Sequence, residues 1–337
     1  MTAQRTALVI TSISAPNAVL RSFAEGCSAR GIDFILIGDR PSPPDFQLEG
    51  CDFWGLQRQA TMPFGLARLL PERHYGRKNL GYLQAIEAGA EVILESDDDN
   101  FPREAFWGER TREHDAAAFQ NSGWVNLYRF FSNEPIWPRG FPLENLQDAV
   151  PSEPLAGKRN CTIQQGLADE NPDVDAIYRL TGKLPLDFDQ RDVPVSLGKG
   201  AWCPFNSQNT TWFKEAFELL YLPSYCSFRM TDIWRSYVAV RICWENGWDV
   251  LVHNATVWQE RNAHNLMKDF ADEVIGYQNN KAICEKLAAL KILPGVEHIG
   301  ANMLACYKEF ITMGLVGEEE LPLIEAWQKD MAALRAK

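Results

Sequence analysis

The chain has 337 residues, 46% hydrophobic and 23% charged, enough apolar material for one large globular domain or two smaller ones. Its 33 basic residues against 45 acidic ones leave a formal net charge of -12, which excludes non-specific nucleic-acid binding, since that needs a basic face. The longest apolar stretches are strand-sized, so no membrane span is predicted.

The N-terminus runs straight into a strand pattern at residues 6–12, with no h-region of a secretory signal. Eight cysteines lie scattered among apolar residues without a Cys-x-x-Cys pair. That pattern predicts buried free thiols in a reducing, cytoplasmic setting rather than a zinc site. The Asn-x-Thr triplets at Asn160, Asn209 and Asn254 then read as chance matches.

Residues 15–30 have helical spacing, with Val19, Leu20, Phe23 and Cys27 on one face and Gly31 as the stop. Residues 33–37 read as a second strand, ended by Gly38-Asp39-Arg40-Pro41. A helix is expected over 77–88, with Leu80, Leu83 and Ile86 inward and Gly89 at its end, and a strand over 91–95. This alternation predicts an α/β fold, a mostly parallel sheet with helices on both faces. From about 100 to 200 the pattern turns irregular and aromatic-rich, suggesting long functional loops or a loop-covered core. A strand, a loop and a helix start are expected within 193–217, a helix over 232–244 and a strand over 249–252. From Leu266 the chain reads as helices broken near Pro294-Gly295 and Gly314. The expected organisation is a sheet domain over 1–265 with a helical C-terminal extension over 266–337 packed on it.

The strongest local signal is Val92-Ile93-Leu94-Glu95-Ser96-Asp97-Asp98-Asp99-Asn100, a buried-strand run that stops at three aspartates. In open α/β sheets ligands bind at that edge. Carboxylates ~5 Å apart repel by about 3 kcal/mol at an effective dielectric of ~20, so such a cluster favours a divalent cation. Asp97 and Asp99, alternate in the turn, are the candidate ligands for Mn²⁺ or Mg²⁺, hard ions that prefer carboxylate and phosphate oxygens. Asp98 would point away or touch a sugar. The competing reading is a solvated acidic turn.

Arg77 and Lys78 open the preceding helix, where cations oppose the helix dipole and free amides favour an anion. Arg139, in the Trp137-Pro138-Arg139-Gly140 turn, suits bidentate recognition of phosphate or carboxylate, or else a structural salt bridge. Asp173 and Asp175 could bind sugar hydroxyls, or Asp173 could cap a helix. Asn206, Ser207, Gln208 and Asn209 could read sugar hydroxyls or staple a loop.

Five strings in order resemble one family. They are Tyr75-Gly76-Arg77-Lys78-Asn79-Leu80-Gly81-Tyr82-Leu83 before the aspartates, Trp137-Pro138-Arg139-Gly140-Phe141-Pro142 after them, the stretch from Ile163 to Ala176, Pro204-Phe205-Asn206-Ser207-Gln208-Asn209-Thr210, and Met230-Thr231-Asp232-Ile233-Trp234-Arg235. Together they resemble the STELLO-type glycosyltransferase-like proteins over roughly residues 70–265. The Arg77–Leu83 helix with its aspartate run is also similar to reversibly glycosylated polypeptides, the UDP-arabinopyranose mutases.

The resemblance implies a GT-A-type fold, with a Rossmann-type nucleotide-binding sheet merged with an acceptor-binding half, and a metal-dependent glycosyltransferase. Its donor would be a nucleoside-diphosphate sugar, a UDP-sugar first. Its acceptor would be a glycan, a lipid-linked sugar or a small molecule. This chain would lack the N-terminal anchor of the plant members. The resemblance makes Arg77 a diphosphate or nucleotide contact. It makes Asp232 the general base of an inverting transfer, against a plain helix-cap reading. It also makes a late histidine a metal ligand, with His264 preferred over His253. The alternatives are a sugar-nucleotide mutase or a non-catalytic scaffold on the same fold. A nucleotidyltransferase would want a glycine-rich loop after the first strand, and residues 11–17 contain no glycine.

Overall fold

The computed structural model describes residues 4–148, 154–261 and 265–337. Strand and helix alternate at first: β1 (Thr6–Thr11), α1 (Ala18–Ser28), β2 (Asp33–Ile37), β3 (Asp52–Trp54), the short α2 (Leu56–Gln59), α3 (Lys78–Glu87) and β4 (Val92–Ser96). The middle of the chain is strand-rich: β5 (Asn100–Pro102), β6 (Glu113–Phe119), β7 (Gly123–Trp124), β8 (Leu155–Asn160) and β9 (Ile163–Asp169), then α4 (Ala176–Thr181), β10 (Val195–Leu197), β11 (Ala201–Trp202) and β12 (Asn209–Phe213). Helix α5 (Thr231–Glu245) leads to β13 (Val250–Gln259), and α6 (Leu266–Ala289), α7 (Ile299–Thr312) and α8 (Glu320–Arg335) follow.

The main sheet runs β3-β2-β1-β4-β12-β9-β13-β10-β6-β8, with β5 added alongside β13. Strands β3, β2, β1 and β4 are parallel, in the order of a Rossmann half. Beyond them β12 is antiparallel to β4 and β9, β13 is parallel to β9, and β10 is parallel to β6. The α/β expectation holds, and the parallel alternation read from the first hundred residues describes this first half.

Side chains of the parallel strands alternate between two apolar layers because successive residues point to opposite faces. Ala7, Val9, Ile35, Ile37 and Ile93 enter one core. Leu8, Ile10, Phe34, Leu36, Val92 and Leu94 enter the other, under α1. Helix α3 covers the first face closely, since a Cβ on Gly81 would stand 2.5 Å from Val9 Cγ1. Helix α1 starts at the Asn17 cap, whose side chain accepts from Leu20 N at 2.8 Å, so it opens three residues later than its spacing suggested.

The stretch expected to be irregular holds β6, β7, β8 and β9. Strand β9 (Ile-Gln-Gln-Gly-Leu-Ala-Asp) is buried throughout, yet its glutamines hide it. Gln164 Nε2 donates to Thr111 O at 2.7 Å, and Gln165 Nε2 to Asn209 O at 3.0 Å, so both amides are satisfied inside the sheet.

Helix α5 is buried on nearly every residue, wedged between sheet and helices. Ile283 and Leu287 of α6, Met303 and Phe310 of α7 and Trp327 of α8 belong to the same apolar core as Val9 and Ile93. Among the described residues no helix is long and apolar enough to cross a membrane.

Candidate active-site cleft

A cleft of about 760 Å³ opens at the C-terminal ends of β1, β2 and β4. Strand β1 pairs with β2 on one side and β4 on the other, so the strand order reverses there and leaves a crevice. Thr11, Ser12, Ile37, Gly38, Asp97, Asp98 and Asp99 line it.

Each aspartate of the turn is held by a different element. Lys78 Nζ, fully buried at the start of α3, lies 3.4 Å from Asp97 Oδ1 and donates to Ser96 O at 2.8 Å and Ser207 O at 3.3 Å. Asp98 accepts from the Ser12 hydroxyl, and its carbonyl accepts from Asn17 Nδ2 at 2.8 Å, which ties the turn to the β1–α1 loop. Asp99 Oδ1 accepts from Gln259 Nε2 at 3.0 Å, and its carbonyl accepts from Glu260 N at 3.0 Å. Asp97 keeps 40% of its side chain open to the cleft, and the desolvation of its enclosed part raises its carboxyl above the usual carboxylate range. Lys78 opposes that rise, while Asp99, Asp232 and Asp98 add to it.

Beneath the turn, Glu95 is fully buried. It takes two hydrogen bonds from Arg235, at 2.8 and 3.0 Å, one from Trp212 Nε1 at 2.8 Å and one from the Tyr82 hydroxyl. This buried ion pair fastens β4 to α5, α3 and β12 and so sets where the aspartates emerge. Sequence reasoning passed over Glu95 because it sits inside an apolar run.

Three of the expected roles change. Arg77 lines the cleft, but its guanidinium donates to Gln59 Oε1 through Nε (2.7 Å) and Nη2 and to Leu70 O at 3.0 Å. It braces a loop instead of offering a free fork to a diphosphate. Lys78 is a cation beneath the aspartates, with its ammonium committed to three oxygens.

Arg139 is the structural pair of its two readings. It forks onto Asp173 with two bonds of 2.8 Å and onto Asp232 with two of 3.0 Å, and it also donates to Arg229 O. Gly140 makes this turn possible, at φ 92° with its hydrogen where a Cβ would meet Ile233 Cγ2 at 2.4 Å. The Arg139 guanidinium overrides burial and holds the Asp232 carboxyl far below the usual carboxylate range. Asp232 lines the cleft, but an anion this well matched is a poor proton acceptor, which argues against the general-base role.

The remaining candidates divide. Gln208 lines the cleft and donates Nε2 to Asn100 Oδ1 at 3.1 Å. Asn206 Nδ2 is spent on Asp173 at 2.9 Å, so this cluster staples the loop. The helix cap is Asp175, not Asp173: it accepts from Tyr178 N at 2.8 Å and from Trp137 Nε1 at 2.6 Å. His253 is not among the cleft residues, and burial lowers it to about 4. His264 lies outside the described residues. Ser12, Gln259, Arg229 and Arg261 also line the cleft and escaped the reading, since isolated polar residues after a strand carry no spacing signal.

Among the described residues no group of three or more His, Cys, Asp and Glu could hold a metal ion by itself. The donor chemistry still fits a hard divalent ion in part. Asp97 is an under-compensated carboxylate facing open space, and such ions are often held by one or two carboxylates together with substrate phosphates.

Residues 229–337 match the family model described as STELLO glycosyltransferases. The chain is 34% identical over 251 residues to the probable glycosyltransferase STELLO2 of Arabidopsis thaliana, covering 68% of this chain and 32% of that protein. It is 31% identical over 274 residues to the probable glycosyltransferase STELLO1 of the same plant, covering 74% of this chain and 34% of that one. The chain therefore spans about a third of the length of the curated relatives it matches. A distant likeness in shape is the glucosyl-3-phosphoglycerate synthase of Mycobacterium tuberculosis in complex with phosphoglyceric acid, at 8% identity and a TM-score of 0.38, covering 85% of this chain and 79% of that one. On the sequence relationship, the chain belongs to the STELLO glycosyltransferase family.

Proposed function

We propose that the cleft binds a nucleoside-diphosphate sugar, a UDP-sugar first, and transfers a hexosyl or pentosyl unit to a glycan, lipid-linked or small-molecule acceptor. The observation that carries this reading is the Asp97–Asp99 turn, set at the ends of the parallel strands in the cleft of a STELLO-family chain. Asp97 and Asp99 would hold Mn²⁺ or Mg²⁺ against the diphosphate. Such an ion, when bound, neutralises charge on the departing diphosphate.

The chain's own residues supply position. Lys78 sets Asp97 from below, the Ser12 hydroxyl fixes Asp98, and Gln259 fixes Asp99. The Arg139–Asp232 pair keeps the floor rigid. Eight unpaired cysteines, buried or half-buried, support work in a reducing compartment such as the cytoplasm.

The test is product analysis with a panel of UDP-sugars, with and without Mn²⁺ and a mixed acceptor pool. Transfer that needs both donor and acceptor is expected. Conversion of the donor without acceptor would replace this reading by a mutase, and absence of any nucleotide-sugar turnover would leave a scaffold.

A further inference from the structure

One wall of the cleft carries arginines that no established role uses. Arg229 precedes α5 and Arg261 follows β13, and both line the cleft. Their side chains are mostly enclosed, at 15% and 13% exposure.

Each is anchored by a single carboxylate of the first turns of α6. Arg229 Nε donates to Glu273 Oε1 at 2.9 Å, and Arg261 Nη2 to Asp269 Oδ2 at 3.1 Å. Glu273 is fully buried and shared, since its other oxygen accepts from Ala176 N at 2.7 Å and from the Tyr277 hydroxyl. Arg179 stands close enough to feel both cations, and its Nη2 donates to the neutral Pro172 carbonyl at 2.8 Å.

Arg179, Arg229 and Arg261 thus crowd together, with Glu273, Asp269 and Asp173 as their nearby carboxylates, and among the described residues their hydrogen-bonding capacity is not used up. Arg229 Nη2 lies 2.8 Å from Glu273 Oε1, yet among the described residues it is buried with no acceptor in hydrogen-bonding geometry, and Arg179 Nε is likewise buried without one. Buried donors left unmade are costly, and crowded like charges add to the cost. Burial, then repulsion from Arg261, brings Arg179 down to about 9, and burial, then Arg229, lowers Arg261, with Asp173 opposing both shifts. An oxyanion entering the cleft would offer acceptor oxygens to Arg229 and Arg261 on its wall, and arginine forks match that geometry.

We propose that Arg229 and Arg261, backed by Arg179, form an oxyanion subsite of the cleft that takes a phosphate-class group. The identity of that group rests on the transferase reading. It is either the diphosphate of the donor or an acidic group on the acceptor. Arg261 follows Gln259, which holds Asp99, so the subsite adjoins the aspartate turn.

The test is calorimetry with inorganic pyrophosphate and inorganic phosphate in EDTA, so that it does not depend on the carboxylate site. The wild-type chain is expected to bind at least one of them. Arg261→Gln and Arg229→Gln should weaken that binding by roughly 10- to 100-fold, with Arg261→Lys in between. If Arg229→Gln unfolds for want of its Glu273 partner, Arg229→Lys and the Arg261 variants carry the test.

Failure of the wild-type chain to bind either anion would overturn the subsite, and so would folded variants that bind as the wild type does. A second titration identifies the source. Displacement of phosphate by UDP with Mn²⁺ assigns the subsite to the donor, and persistence of phosphate binding in saturating UDP assigns it to the acceptor. Anion binding without any UDP binding would sink the nucleotide-sugar reading while the subsite stands.

Discussion

Arg139 and Asp232 meet through two parallel hydrogen bonds of 3.0 Å, each side chain at most 7% exposed. The same guanidinium also holds Asp173, so one cation compensates two buried anions. The turn 137–140, the loop before α4 and the start of α5 converge on it.

Arg139→Gln should therefore cost about 3–5 kcal/mol of stability, the usual penalty for stranding buried charge. Urea unfolding followed by tryptophan fluorescence measures it. Adding Asp232→Asn to that variant should recover part of the loss. A cost below about 1 kcal/mol would contradict the network.

Asp232 itself should behave as a permanent anion. Its folded-state carboxyl is held below the usual 3.8, so its contribution to stability is present above that value and lost as pH falls. Asp232→Asn should lower the melting temperature at pH 7, with the gap to wild type narrowing below about pH 4. An acid limb of any transfer reaction above pH 5 should persist in this variant. If the limb vanished, Asp232 would be a proton acceptor after all.

Replacing Asp97 and Asp99 together with Asn should abolish Mn²⁺-dependent binding of UDP in calorimetry. Asp97→Asn alone should also alter the empty chain. Its folded carboxyl is raised to about 7, so the stability it lends is complete below 3.8 and is lost as pH rises through about 7. The difference in melting temperature between variant and wild type should therefore move in the variant's favour as pH rises from 4 to 8.

His74 gives the opposite slope. Its Nδ1 accepts from Gly76 N at 3.0 Å, and burial lowers it to about 4, against the pull of Asp39. Stability present above 6.5 is lost as pH falls through about 4, by up to about 3 kcal/mol. His74→Asn, which keeps an acceptor that does not titrate, should flatten the loss between pH 6.5 and pH 4 in chemical denaturation series.

The first half of the sheet was legible because apolar alternation and helix stops speak locally. Strand β2 matches its expected bounds, and α5 falls within a residue of its own. Strand β9 was recognisable only as part of a family string, because its glutamines bond to backbone carbonyls that are far away in sequence. At the site, the aspartate turn announced itself by composition. The fates of Arg77 and Arg139 did not, because residue type tells what a guanidinium can grip but not which acceptors reach it first. Gln59 stands 18 residues from Arg77, and Asp232 stands 93 from Arg139. Arg229 and Arg261 stayed hidden for the same reason, since only folding brings α6 up behind them.

The one core shared by sheet and C-terminal helices bears on modularity. Trp327 Nε1 reaches Glu218 O at 3.0 Å, Asn280 Nδ2 reaches Gly140 O at 3.0 Å, and Arg241 Nε reaches Leu287 O at 2.8 Å. Each of these plugs has its socket on the other side of position 265. A graft of this helical end onto a different sheet would need those sockets rebuilt.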